Sequence, residues 1–153
     1  MEEKKNNNII IYTDGACKGN PGEGGWGAYI VKNNSTHKEI FGYKSITTNN
    51  RMELTAAIEA LKYFKDNQEL EIFTDSNYLK QGITVWIKTW KQNNWINKQK
   101  KAIKNIDLWI KLDFLNNFHQ VKWNWVKAHD GNFGNEKADM LANKAINLKK
   151  TNL

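Results

Sequence analysis

Cysteine, proline and arginine are almost missing from this 153-residue chain, which has one of each: Cys17, Pro21 and Arg51. A lone cysteine excludes an intrachain disulfide and fits a reducing compartment. Proline and glycine are too scarce for a low-complexity chain, and 40% hydrophobic residues with 12% aromatics argue against disorder. No uncharged apolar run approaches the length of a membrane span. Residues 1–8 hold charges and asparagines where a signal peptide needs an apolar core. These absences lead us to expect a cytoplasmic protein with no membrane partner. The length suits a single domain over 1–153, with 1–7 and 149–153 as flexible tails. There are no internal repeats.

Acidic residues are missing from one long interval. Between Asp75 and Asp107 the chain carries Lys80, Lys88, Lys91, Lys98, Lys100, Lys101 and Lys104 and no acid. Those seven account for the whole net charge of +7, because the other 16 basic residues match the 16 acidic ones. The same interval carries Trp86, Trp90 and Trp95. A localised basic patch interleaved with aromatics is the footprint of a polyanion-binding surface. The plainer alternative is a solvated lysine face, with Trp86 and Trp90, four residues apart, packing a small subdomain.

Carboxylates are present where strands end. Asp14 closes the apolar run Ile9–Thr13, and Asp75 closes a second run, Leu70–Thr74, in similar words: Tyr-Thr-Asp-Gly and Phe-Thr-Asp-Ser. Glu53 and Asp139 each sit in the first turn of a helical pattern. Open α/β sheets bind ligands at the carboxyl ends of their strands. Several acids converging there repel one another unless cations lie between them, and an all-oxygen cluster suits Mg²⁺ or Mn²⁺. The pattern predicts a metal-dependent phosphoryl-transfer site. Taken singly, Asp14 and Asp75 also read as strand-end caps, and Glu53 and Asp139 as favourable charges at helix N-termini.

Periodicity supplies the frame. Residues 8–14 read as a buried strand. Residues 19–25 form a glycine-rich connector too short for a crossover helix, so the strand at 26–32 should run antiparallel to the first. A third strand spans 37–46. Thr48-Asn49-Asn50 can cap a helix over 50–65 whose stripe is Leu54, Ala57, Ile58, Leu61 and Phe64. A strand at 70–75 precedes helices across 76–93 and the basic excursion over 76–104. A helix over 105–118, a strand over 120–127 and a closing helix over 134–148 follow. The expected class is α/β, a mixed sheet with helices on both faces.

Four blocks carry a family resemblance. Tyr12-Thr13-Asp14-Gly15-Ala16-Cys17-Lys18-Gly19-Asn20-Pro21-Gly22 resembles the opening motif of bacterial type 1 ribonucleases H. Thr48-Asn49-Asn50-Arg51-Met52-Glu53-Leu54 resembles the second block, Thr74-Asp75-Ser76 the third, and Trp123–His129 with Asn135, Glu136 and Asp139 the last. The blocks keep family order over about residues 9–145, and the basic excursion matches the handle of the bacterial enzymes. The resemblance implies a five-stranded mixed sheet of strand order 3-2-1-4-5 with strand 2 antiparallel. It implies an endonuclease that hydrolyses the RNA strand of RNA·DNA hybrids with two Mg²⁺ ions, Mn²⁺ being an alternative, and leaves 5′-phosphate and 3′-hydroxyl ends. Asp14, Glu53, Asp75 and Asp139 match the metal-binding acids, and His129 would assist proton movement or product release on its glycine-containing loop.

Hybrid binding is assigned to Asn20, Thr48, Asn49, Asn50 and Asn77 near the acids, and to Trp86, Lys88, Trp90, Lys91, Lys98, Lys100 and Lys101 on the handle. A monomer is expected. His37 and His119 read as surface or strand residues. Ile46, Gln92-Asn93-Asn94, and Ala128 and Asp130 around His129 depart from the family pattern; none is one of the four acids. Two competing readings remain: another nuclease of the same superfold, and a non-catalytic hybrid- or duplex-binding module.

Overall fold

The computed structural model describes residues 8–153. Five strands form one sheet: β1 (Ile9–Lys18), β2 (Gly22–Lys32), β3 (Ser35–Thr47), β4 (Glu69–Thr74) and β5 (Gln120–Trp125), in the order β3-β2-β1-β4-β5. β1 pairs antiparallel with β2 and parallel with β4, and β5 extends the parallel side. The helices are α1 (Asn49–Tyr63), α2 (Asn77–Gln81), α3 (Ile87–Gln92), α4 (Ile106–Phe118) and α5 (Phe133–Leu148), with a π-helical turn at Gly82–Trp86 between α2 and α3. The expected fold class and strand order hold.

Alternation along the strands decides which helix covers which face. Ile11, Ile30 and Ile40 point to one side and are buried with Leu54, Ala57, Ile58 and Leu61 of α1 and with Trp109 and Leu112 of α4. Tyr29 and Phe41 point to the other, with Tyr12 packed alongside, and meet Leu141 and Ala145 of α5. Each fully buried Ile or Leu contributes roughly 1.5–3 kcal/mol. Thr48 caps α1, its hydroxyl accepting the Arg51 amide at 3.2 Å.

β2 begins at Gly22, four residues before the expected start. Glycines read as a connector are therefore strand residues, and Gly25 lies directly under α5: a Cβ there would collide with the Ala142 carbonyl oxygen. Its small size lets the helix settle on the sheet. Residues 149–153, expected as a tail, lie along β3. Asn152 exchanges hydrogen bonds with the Phe41 backbone, Thr151 accepts the Tyr43 amide at 3.0 Å, and Lys149 pairs with Glu23. The expected tail at 1–7 lies outside the described residues.

His119 corrects a second expectation. It is buried at the end of α4, where Nδ1 accepts the Gln68 amide at 3.1 Å and Nε2 meets the Leu61 carbonyl at 3.0 Å. Because a carbonyl only accepts, the proton sits on Nε2 and Nδ1 is the acceptor. The ring thereby joins the end of α1 to the start of β4. His37 is exposed beside Tyr63 and Phe64.

Candidate metal centre and nucleic-acid interface

The parallel register of β1 and β4 sets Thr13 opposite Thr74, so Asp14 and Asp75 follow side by side, where β4 ends and β1 runs on beside β2. Glu53 arrives from α1, which crosses β1 very closely: a Cβ on Gly15 would stand 2.5 Å from the Glu53 nitrogen. Glycine at 15 thus allows a helix backbone to touch a strand and brings the third acid in. One carboxylate oxygen from each of Asp14, Glu53 and Asp75 lies within 4.8 Å of the others.

Desolvation and mutual repulsion dominate this cluster. Asp14 is 6% exposed and Glu53 4%. Burial, then the neighbouring Asp75 charge, pushes the Asp14 carboxyl up to about 8. Burial, with Asp14 and Asp75 adding to it, holds Glu53 well above the carboxylate range. Glu53 Oε1 is buried with no hydrogen-bond partner among the described residues. A buried acceptor left open costs about 1–3 kcal/mol, more if charged. An all-carboxylate donor set with one orphaned oxygen is what a hard divalent cation would complete. The residues fit such an ion.

Asp139, on α5, stands outside the tight trio but close enough to Asp14 to raise that carboxyl's proton affinity. α5 also supplies Asn135, 3% exposed, whose amide donates to Asp75 Oδ2 at 3.2 Å. Farther along the helix, Asn143 donates to Asp139 Oδ1 at 3.3 Å. The Trp125 indole N–H holds the Asp75 carbonyl at 3.1 Å. The sequence alone assigns none of these three residues a role at the site. The spacing of Asn135, Asp139 and Asn143, four residues apart on one helical face, was the available signal.

The remaining expected residues fall into two groups. Near the acids, Asn20 Oδ1 accepts the Asn49 amide at 3.0 Å, and the Asn49 side chain reaches the Gly15 carbonyl at 3.4 Å. The helix cap is Thr48, and Asn50 and Asn77 are exposed. His129 is exposed on the loop before α5 with a left-handed backbone, φ 54°. On the handle, Trp90 is half-buried against Trp109, ring centroids 5.2 Å apart, so it packs the subdomain. Trp86 is 38% exposed at its edge. Lys88, Lys98, Lys100 and Lys101 are exposed, and Lys91 pairs with Asp113 at 3.1 Å.

Residues 6–147 match the family described as RNase H. The chain is 59% identical over 143 residues to Ribonuclease H of Francisella tularensis subsp. novicida (strain U112), covering 94% of this chain and 93% of that protein. The chain belongs to the ribonuclease H family. A second family member, Ribonuclease H of Francisella philomiragia subsp. philomiragia, is 58% identical over 142 residues, 93% of each chain. Among solved structures, LC9-RNase H1, a type 1 RNase H with the type 2 active-site motif, matches with TM-score 0.84 and 30% identity. That match covers 98% of this chain and 77% of the other. LC11-RNase H1 in complex with RNA/DNA hybrid matches with TM-score 0.71 and 27% identity over 92% of this chain and 98% of the other. In this ribonuclease H family chain the acids gather at the carboxyl end of β4, the end of parallel strands at which α/β folds bind ligands. No helix among the described residues is long and apolar enough to cross a membrane.

Proposed function

We propose that this protein is an endonuclease that hydrolyses the RNA strand of RNA·DNA hybrids, leaving 5′-phosphate and 3′-hydroxyl ends. The observation that carries this reading is the convergence of Asp14, Glu53 and Asp75, with Asp139 beside Asp14, in a ribonuclease H family chain. Two Mg²⁺ ions, with Mn²⁺ as an alternative, would supply an activated water and a stabilised leaving oxygen. Asp14 stands within 4.8 Å of Glu53 and Asp75, and the Asp139 charge reaches it as well. The rigid elements behind these acids keep the four carboxylates together when nothing offsets their repulsion.

His129 is exposed on its loop, and its imidazole is free to carry a proton to or from the reacting phosphate. Selection of a hybrid needs hydroxyl-reading contacts on one strand and backbone contacts on the other. Asn20, Thr48, Asn49, Asn50 and Asn77 supply amides and a hydroxyl near the acids. Trp86, Trp90 and Lys88, Lys91, Lys98, Lys100 and Lys101 supply the handle's surface. Trp90 and Lys91 act partly through packing and the Asp113 ion pair. The protein acts in the cytoplasm, where reducing conditions suit its single cysteine, and works as a monomer.

The test is a hybrid with its RNA strand end-labelled, incubated with protein in Mg²⁺ or in chelator, beside duplex DNA and duplex RNA. Cleavage of the hybrid RNA alone, and only with metal, is expected. A protein that binds the hybrid and leaves its RNA whole at every metal concentration would be a binding module instead.

A further inference from the structure

Asn135, Asp139 and Asn143 form an amide–acid–amide row along α5, each four residues from the next. The two amides face different acids: Asn135 reaches Asp75, and Asn143 reaches Asp139. The second contact is built to last. The Asn143 Nδ2 group donates to the Asp139 carbonyl oxygen at 2.9 Å and to its Oδ1 at 3.3 Å. The Asp139 carbonyl only accepts, so this end of the side chain must be the NH₂. The carbonyl bond fixes the asparagine rotamer against its own helix. The Oδ1 bond then fixes the carboxylate, whose charge reaches Asp14.

This anchor matters because Asp139 has less to hold it than its partners have. Asp14 and Glu53 are buried between β1 and α1, and Asp75 is gripped by Asn135 and Trp125. Asp139 is only half-buried and lies outside the cluster whose oxygens stand within 4.8 Å of one another. We infer that Asn143 is a positioning residue, which presents the Asp139 carboxylate to a divalent cation held between Asp139 and Asp14. The inference rests on the metal-dependent reading above. Groups that orient metal ligands in this way are typically worth 10–100-fold in metal affinity or activity.

The test compares parent, Asn143→Ala and Asn143→Asp. A merely structural role predicts a lower thermal stability, offset in part because alanine is the better helix former, with no change in metal dependence for Asn143→Ala. The positioning role predicts that the Mg²⁺ concentration for half-maximal hybrid cleavage rises about 10-fold in Asn143→Ala, with turnover returning towards the parent as Mg²⁺ saturates. Asn143→Asp, which replaces a donor by a second charge, should need at least as much. Calorimetric titration of the nucleic-acid-free proteins with Mn²⁺ reads the acids without turnover and should show weaker binding in both variants.

Parental metal dependence and Mn²⁺ affinity in folded Asn143→Ala would overturn the inference. So would a turnover defect that excess Mg²⁺ leaves in place while Mn²⁺ affinity is unchanged. A parent protein that cleaves no hybrid would instead count against the functional reading itself.

Discussion

Asn135 donates its side-chain amide to Asp75 Oδ2 across 3.2 Å, tying the first turn of α5 to the end of β4. The bond lets a helix that itself carries Asp139 also set the direction of an acid on a strand. Asn135→Ala should therefore lower cleavage of a hybrid by about 10-fold at limiting Mg²⁺. Asn135→Asp, which sets a charge against Asp75, should lower it further. Initial rates across an Mg²⁺ titration check both.

The cluster also predicts how stability responds to pH when metal is withheld. Asp14 holds its proton up to about pH 8 in the folded protein, whereas an aspartate in the unfolded chain releases it near pH 4. The folded state thus binds more protons across that window, and stability falls as pH rises through it. Thermal melting in chelator should show a falling Tm between about pH 5 and pH 9, and Mg²⁺ should flatten the fall by taking the proton's place. Asp14→Asn removes one charge from the cluster and should raise the metal-free Tm at pH 8 by about 5 °C, a change of roughly 1–3 kcal/mol at this chain length.

The handle lysines should act on binding and leave the chemical step alone. Replacing Lys88, Lys98, Lys100 and Lys101 by Gln should weaken hybrid binding and reduce the slope of log affinity against log salt, by about 0.7–0.9 for each phosphate no longer neutralised. Lys91 is left in place because it pairs with Asp113 on α4. Anisotropy titrations at several salt concentrations give the slope. An unchanged slope would return these lysines to a solvated face.

His119 should matter for stability only. His119→Ala strips partners from the Gln68 amide and the Leu61 carbonyl at a buried junction. Two unsatisfied groups cost about 2–5 kcal/mol together, or roughly 5–15 °C in Tm. Cleavage measured well below the transition should stay near the parent level, since the ring lies at the far end of α1 from Glu53.

Much of this site was legible because its acids sit where local pattern puts them. Asp14 and Asp75 end short apolar runs that read as strands, and the parallel pairing of those strands brings the two acids together. Glu53 borders a helical stripe, so its placement near the sheet followed from periodicity, but it reads there as unburied, and its 4% exposure comes from the close crossing of α1 over Gly15. The amides were not legible in the same way. Asn135 and Asn143 find their acceptors through the packing of α5 on the sheet, and asparagine suits loops, caps and surfaces equally well. Gly25 read as a turn residue because its use, leaving room for the α5 backbone at Ala142, exists only in three dimensions. His119 read as a surface or strand residue for the same reason: both its partners, Leu61 and Gln68, are more than fifty residues away in sequence.

If the clustered acids hold the ions that cut RNA, Asp75→Asn should end cleavage. The substitution removes one charge, keeps the side chain's size and relieves repulsion on Asp14 and Glu53. A labelled hybrid is incubated with parent and variant in saturating Mg²⁺, with melting curves and hybrid binding recorded alongside. The expected result is a folded variant that still binds the hybrid and no longer cleaves its RNA strand. Near-parental cleavage by folded Asp75→Asn protein would contradict it.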